Sequence, residues 1–221
     1  MSFGILSFVR STLEILIPPS SSTIVQDISA LQKAGLTFLA YFYFDFRDTN
    51  KQDLRNALAS LLMQLCAQSD SYCDILSHVH QAHNDGVDKP STETMITCFK
   101  EMLALYNKTP VYIILDALDE CPNTPGAPSA REEVLDCLKD LIGLQLPNLH
   151  ICVTSRPEID ILTALEPLVS YRISIHDELG QKQDIIDFVT SIVHSDRKMK
   201  EWRDVEKRVV INTLIEKADG M

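Results

Sequence analysis

Three acids fall within five residues, Asp116, Asp119 and Glu120, directly after the apolar run Val111-Tyr-Ile-Ile-Leu115. Four of those five apolar residues are β-branched or aromatic, and they do not alternate with polar ones. Such a run predicts a short strand buried on both faces, the mark of a parallel sheet covered by helices. Carboxylates at the carboxyl end of a central parallel strand stand at the rim where open α/β folds bind ligands. Packed together, three acids repel one another unless a cation, basic groups or water compensates, and Mg²⁺ carrying a phosphate is the natural compensator. A strand ending in a polar turn accounts for the first acid alone; the full string Asp116-Ala-Leu-Asp-Glu-Cys121 is more specific. Arg156 is the second residue of chemical interest. It follows the apolar triplet Ile151-Cys-Val153 in Thr154-Ser-Arg156, and Pro157 stops the strand from continuing. Its planar fork suits a phosphate, or equally an ion pair with one of the three acids.

The elements that must position these residues read as follows. A serine-rich start at Ser20 opens a helix with Ile24, Val25, Ile28 and Leu31 on one side, ended by Gly35. Leu36 to Phe46 predicts an aromatic-rich strand with a polar end at Asp45, Arg47 and Asp48. Asp48 or Asn50 is expected to cap the next helix, whose face is Leu54, Ala57, Leu58, Leu61, Leu62 and Leu65. Ser91 begins a helix with Met95, Ile96, Phe99, Met102, Leu103 and Tyr106 inward, methionines being core filler there. Ser129-Ala-Arg-Glu132 fits a capping box, followed by the stripe Val134, Leu135, Leu138, Leu141 and Ile142. Val169 to Ile175 predicts a further strand. From Gly180 on, Ile185, Ile186, Val189, Ile192 and Val193 predict one helix and Val205 to Ala218 another. At the other end, Leu13 to Ile17 reads as a short strand and residues 3–17 equally as a helix.

The totals exclude several classes. A net charge of −11 argues against a nucleic-acid or anionic-membrane surface, since both need clustered Lys and Arg. No apolar run approaches a membrane span, and Arg10 and Glu14 interrupt any secretory signal. Six cysteines without a C-x-x-C pattern are expected to be reduced packing residues of a cytoplasmic protein. His78, His80 and His83 lack a fourth ligand nearby, and on a helix the first two point apart, which favours a solvent-facing helix over a metal site.

The string Val111 to Cys121 resembles the extended Walker B motif of NACHT-type signalling NTPases, the STAND branch of the P-loop fold. It is most similar to fungal NACHT proteins with a nephrocystin-like N-terminal region. The blocks Leu39-Ala-Tyr-Phe-Tyr-Phe-Asp-Phe-Arg-Asp48, His150-Ile-Cys-Val-Thr-Ser-Arg-Pro157 and His176-Asp-Glu-Leu-Gly-Gln-Lys182 extend the resemblance from about Ser21 to Met221. The fold it implies is α/β, a three-layer parallel sheet of the P-loop NTPase type, incomplete, followed by the start of a helical subdomain. Residues 1–20 would replace the first strand and loop, 21–175 form the core, and 176–221 begin the helical part. Carried over by motif, Asp116 would hold Mg²⁺, Asp119 and Glu120 would polarise the attacking water, and Arg156 would sense the γ-phosphate of Mg-ATP.

One block is missing. The seven glycines include no Gly-Lys pair, and Pro18-Pro19-Ser20 stands where G-x-x-x-x-G-K-[ST] is expected. That loop works through backbone N–H groups around phosphate oxygens and a lysine on the outer phosphates, and proline has no N–H to offer. The missing loop, together with an amphipathic segment that runs to the last residues, is expected to mark a fragment. Two readings follow: an ATP/ADP-dependent switch with impaired nucleotide binding and hydrolysis, or a non-catalytic module that meets protein partners, other NACHT proteins among them.

Overall fold

The computed structural model describes residues 5–9, 21–105, 108–124, 128–174, 179–196, 199 and 202–218. Its contacts divide the chain into an α/β unit, Gly4–Ile173, and a unit containing Ser174–Met221.

The α/β unit is built on three parallel strands, β2 (Phe38–Tyr43), β3 (Val111–Asp116) and β4 (Leu149–Ser155). As the apolar run predicts, β3 is interior, pairing with β2 from Phe38↔Val111 to Tyr43↔Asp116 and with β4 from Val111↔Leu149 to Leu115↔Val153. The acids therefore follow the carboxyl end of a central strand. Successive side chains point to opposite faces. On one face Leu39, Ile114 and Cys152 pack against Ile24, Val25 and Ile28 of helix α1 (Ser21–Lys33). On the other, Ala40, Phe42, Ile113, Leu115, Ile151 and Val153 join a larger core. Helices α2 (Leu54–Cys66), α4 (Thr92–Leu105) and α5 (Ala130–Gly143) fill it, with α3 (Asp70–Ala82) packed on α2 and α4.

Among the described residues the sheet has five strands in the order β2-β3-β4-β1-β5, with β5 at Tyr171–Ser174. The expected parallel sheet holds for β2, β3 and β4, and the correction concerns the first strand, expected to be replaced by residues 1–20 and so to leave the sheet incomplete. The place beside β4 is taken by β1 (Ile5–Val9), which runs antiparallel to it from Ile5↔Ser155 to Val9↔Ile151. The helix reading of residues 3–17 does not hold at 5–9, and the strand expected at 13–17 lies outside the described residues. Backbone groups pair in either direction, so apolar content alone does not choose the segment or its sense.

Local chemistry sets the other boundaries. Gly35, at φ +71, ends α1 in a left-handed turn where Leu36 N–H reaches Leu31 O (3.1 Å) and Gly35 N–H reaches Gln32 O (2.9 Å). Helix α2 is capped by Asp53, whose carboxylate accepts from Asn56 N (2.7 Å), rather than by Asp48 or Asn50; Asp48 instead caps a 3₁₀ turn at Thr49–Lys51. Ser129 and Glu132 form the expected capping box of α5. A short helix, α6 (Ile159–Leu165), follows β4.

The outer edge of β2 is covered in an unusual way. Gln68 accepts from Leu39 N (3.0 Å) and donates to Leu39 O (2.6 Å), while Gln64 does the same at Tyr41 (3.1 and 2.7 Å). Gln64 lies in the last turn of α2 and Gln68 two residues past its end, and alternate β2 residues face the same way, so two side-chain amides imitate a neighbouring strand. Unpaired edges invite association with other chains, and this pair closes one.

In the other unit, α7 (Leu179–Ser195) and α8 (Asp204–Ala218) pack together, burying Val193 and Ile211 while Phe188, Val205 and Val209 remain exposed. Among the described residues no helix is long and apolar enough to cross a membrane.

Candidate functional site at the carboxyl edge of the sheet

Asp116 is the last residue of β3 and lies on the α1 face, one step beyond Ile114. Its carboxylate accepts a hydrogen bond from the Thr154 hydroxyl, which in turn accepts from Ala117 N (2.9 Å). The charge is felt locally: burial first, and the Asp116 carboxylate second, raise the Tyr43 phenol and push the Cys152 thiol up to about 12.

Ala117 adopts a left-handed conformation (φ 56), and the chain then turns through Leu118–Glu120 as one 3₁₀ turn closed by Glu120 N–H to Ala117 O (2.9 Å). The turn separates the three acids. Asp119 faces the end of β4: its carboxylate accepts from Arg156 N (3.0 Å) and pairs with Arg156 Nε (3.2 Å). Asp119 is 5% exposed and the arginine 55%, so the acid is the fixed partner. Glu120 faces the end of β2, accepting from Phe46 N (3.2 Å). Beside it, Arg47 grips Asp45 through Nε and Nη2 (2.9 and 3.0 Å), which lowers the Asp45 carboxyl to about 2.

The structure thus brings Asp119 and Arg156 into contact and sets Asp116 and Glu120 on the same rim with separate partners. Among the described residues no three His, Cys, Asp or Glu side chains converge to hold a metal. Mg²⁺ does not need such a cage, since it is commonly held through one or two carboxylates and water. Asp116 is the group with the chemistry for it, a hard carboxylate fixed by a neighbouring hydroxyl. His78 and His80 lie on α3; His83 follows it with Nδ1 on Val79 O (2.8 Å).

Arg131 went unnoticed in the sequence. It is 5% exposed and reaches Cys121 O through Nε (2.9 Å) and Asp119 O through Nη2 (2.5 Å), while Nη1 pairs with Glu158 and with Asp160 (3.1 Å). The acid turn is therefore held by its backbone from below and by Arg156 at the Asp119 carboxylate. A signal was present: a cation in the first turn of a helix opposes the macrodipole, so it needs a specific partner.

The family model for Nephrocystin 3, N-terminal, matches residues 20–156, from the start of α1 to Arg156. The chain belongs to the nephrocystin 3 N-terminal family. The match contains the whole acid turn, Arg131, Thr154 and Arg156. No curated protein matches. Among solved structures, a chain in the structure of Drosophila ORC bound to AT-rich DNA and Cdc6 is similar at 14% identity with a TM-score of 0.27. The alignment covers 66% of this family member and 48% of that chain, so it spans about half of the ORC structure's chain. Likeness of that degree fixes neither fold nor activity.

Proposed function

We propose that this chain is a NACHT/STAND-type nucleotide-switch module of the kind found in fungal NACHT proteins, impaired in binding and hydrolysing ATP. The observation that carries the reading is the Asp119–Arg156 pair, which joins the turn after β3 to the end of β4 at the ligand-binding rim of the sheet. In the full switch, bound Mg²⁺ would neutralise phosphate charge. Asp116, steadied by Thr154, would orient metal-bound water. Asp119 and Glu120 would hold and polarise the attacking water, and Arg156 would leave Asp119 to receive the γ-phosphate. Phosphoryl transfer rests on positioning and charge stabilisation, so the lack of a Gly-Lys loop removes the larger share of the site.

Titration calorimetry with Mg-ATP, set beside an Asp116→Ala variant, tests this. The expected result is no turnover and at most millimolar binding; micromolar binding abolished by the substitution would overturn the impairment. A second reading, a non-catalytic module for protein partners in the cytoplasm, is favoured by the reversed β1 and by the exposed Phe188, Val205 and Val209. Light scattering that shows self-association without nucleotide would support it, and a strict monomer would count against it.

A further inference from the structure

The corner between α2 and α3 holds two thiols that no nucleotide chemistry uses. Cys66 ends α2, and Cys73 lies one turn into α3. They interlock: Cys66 Sγ donates to Tyr72 O (3.5 Å), and Cys73 Sγ donates to Cys66 O (3.1 Å). Their accessibility is opposite, Cys66 being buried and Cys73 exposed; the other four cysteines are all buried. Burial, then the charge of Cys73 and a thiol–thiol hydrogen bond with it, push the Cys66 thiol up to about 12.

We propose that Cys66 and Cys73 form an oxidisable dithiol that hydrogen peroxide closes to a disulfide, with Cys73 as the attacking sulfur and Cys66 as the resolving one. The Cys73 thiolate attacks a peroxide oxygen and the O–O bond breaks. The departing hydroxide takes a proton to become water, leaving Cys73 as a sulfenic acid. The Cys66 sulfur then attacks the Cys73 sulfur. The S–O bond breaks, hydroxide leaves with the Cys66 proton as a second water, and the S–S bond forms. Two thiols and one peroxide thus become one disulfide and two waters. Exposure fixes the order, because only Cys73 meets a solvent oxidant. Burial of Cys66 disfavours its thiolate, so ring closure speeds up as pH rises. The closed ring spans residues 66–73 and contains Gln68, which caps the β2 edge.

The test is peroxide treatment of the whole chain, alkylation under denaturing conditions, intact mass and peptide mapping. The expected product has lost two hydrogens, links the Cys66 and Cys73 peptides, returns to two thiols with dithiothreitol and forms faster at pH 8.5 than at pH 7. Cys66→Ser should leave a Cys73 sulfenic acid that dimedone traps, and Cys73→Ser should give no linkage, each variant first shown to keep the parent circular dichroism. Both thiols still alkylatable after peroxide, a sulfinic acid at Cys73 without linkage, or a disulfide through another pair would overturn the proposal.

Discussion

Replacing Arg131 by methionine should be the most damaging single change near the acid turn. Methionine keeps much of the apolar stem but removes every donor. Asp119 O and Cys121 O then lose charged hydrogen bonds of 2.5 and 2.9 Å in a site where Arg131 is only 5% exposed. Hydrogen bonds to charged groups are worth about 1.5–3 kcal/mol each, which sets the scale. Glu158 and Asp160 are 42% and 33% exposed, so they regain water, and their share is close to a surface pair at roughly 1 kcal/mol or less. The two bonds to backbone oxygens alone sum to about 3–6 kcal/mol, and breaking a buried charged pair costs about 3–5 kcal/mol, which is the loss expected here. Melting should fall by about 6–20 °C for a chain of this size. The single tryptophan, Trp202, belongs to the Ser174–Met221 unit and would report the wrong transition. Far-UV circular dichroism in urea is therefore the assay. Arg131→Lys keeps the charge but lacks the fork, and should recover less than half of the loss. A methionine variant within about 1 kcal/mol of the parent would show that Arg131 does not hold the turn.

Three further outcomes follow from the same geometry. In a double-mutant cycle, Asp119→Asn and Arg156→Ala should couple by about 1 kcal/mol, since one partner is exposed and the backbone bond to Arg156 N survives; zero coupling in urea melts would remove the pair from the site. Asp45 should titrate by NMR near pH 2 and move back toward 3.8 in Arg47→Ala. Its folded value is lowered, so the stability it adds is present above the unfolded value and lost as pH falls through about 2, and an unshifted midpoint would contradict the ion pair. Gln64→Ala with Gln68→Ala should cost about 1–3 kcal/mol and produce oligomers by light scattering; a fully stable monomer would show that the β2 edge needs no cover.

The rim was legible because its residues follow apolar runs that can only be interior strands. Val111–Leu115 and Ile151–Val153 both proved to be parallel neighbours, and this alone carries Asp119 and Arg156 to a common edge. The capping box at Ser129 was legible for the same local reason. What escaped depends on tertiary partners. Arg131 reads as an ordinary polar position in an amphipathic helix until the turn it grips is known. Gln64 and Gln68 look like solvent-facing residues until β2 is seen to be an edge. Asp48, Asn50 and Asp53 compete as caps within six residues, and the choice is made by where the chain leaves β2. The first strand was the hardest case, because Ile5–Val9 and Leu13–Ile17 have similar apolar content and neither pattern encodes a direction.

That direction separates the two halves of a nucleotide site. Strands β2, β3 and β4 all open at one edge, so acids and arginine gather there without further specification. Helix α1 enters β2 through Ala34–Thr37 at the amino edge, and its 13 residues, about 20 Å, set its own start at the carboxyl edge. Strand β1 runs the other way: Val9 pairs with Ile151, well inside β4, while Ile5 pairs with Ser155 at the rim. Strand β1 therefore ends at Val9 away from the acids, whereas a strand that hands a phosphate loop to α1 would end beside them. Grafting G-x-x-x-x-G-K-S in place of residues 13–20 should therefore fail to create micromolar Mg-ATP binding while Ile5–Val9 remains paired with β4. Calorimetric binding in the micromolar range by that graft, with the antiparallel β1–β4 cross-peaks retained by NMR, would show that the loop alone was missing and the strand's sense did not matter.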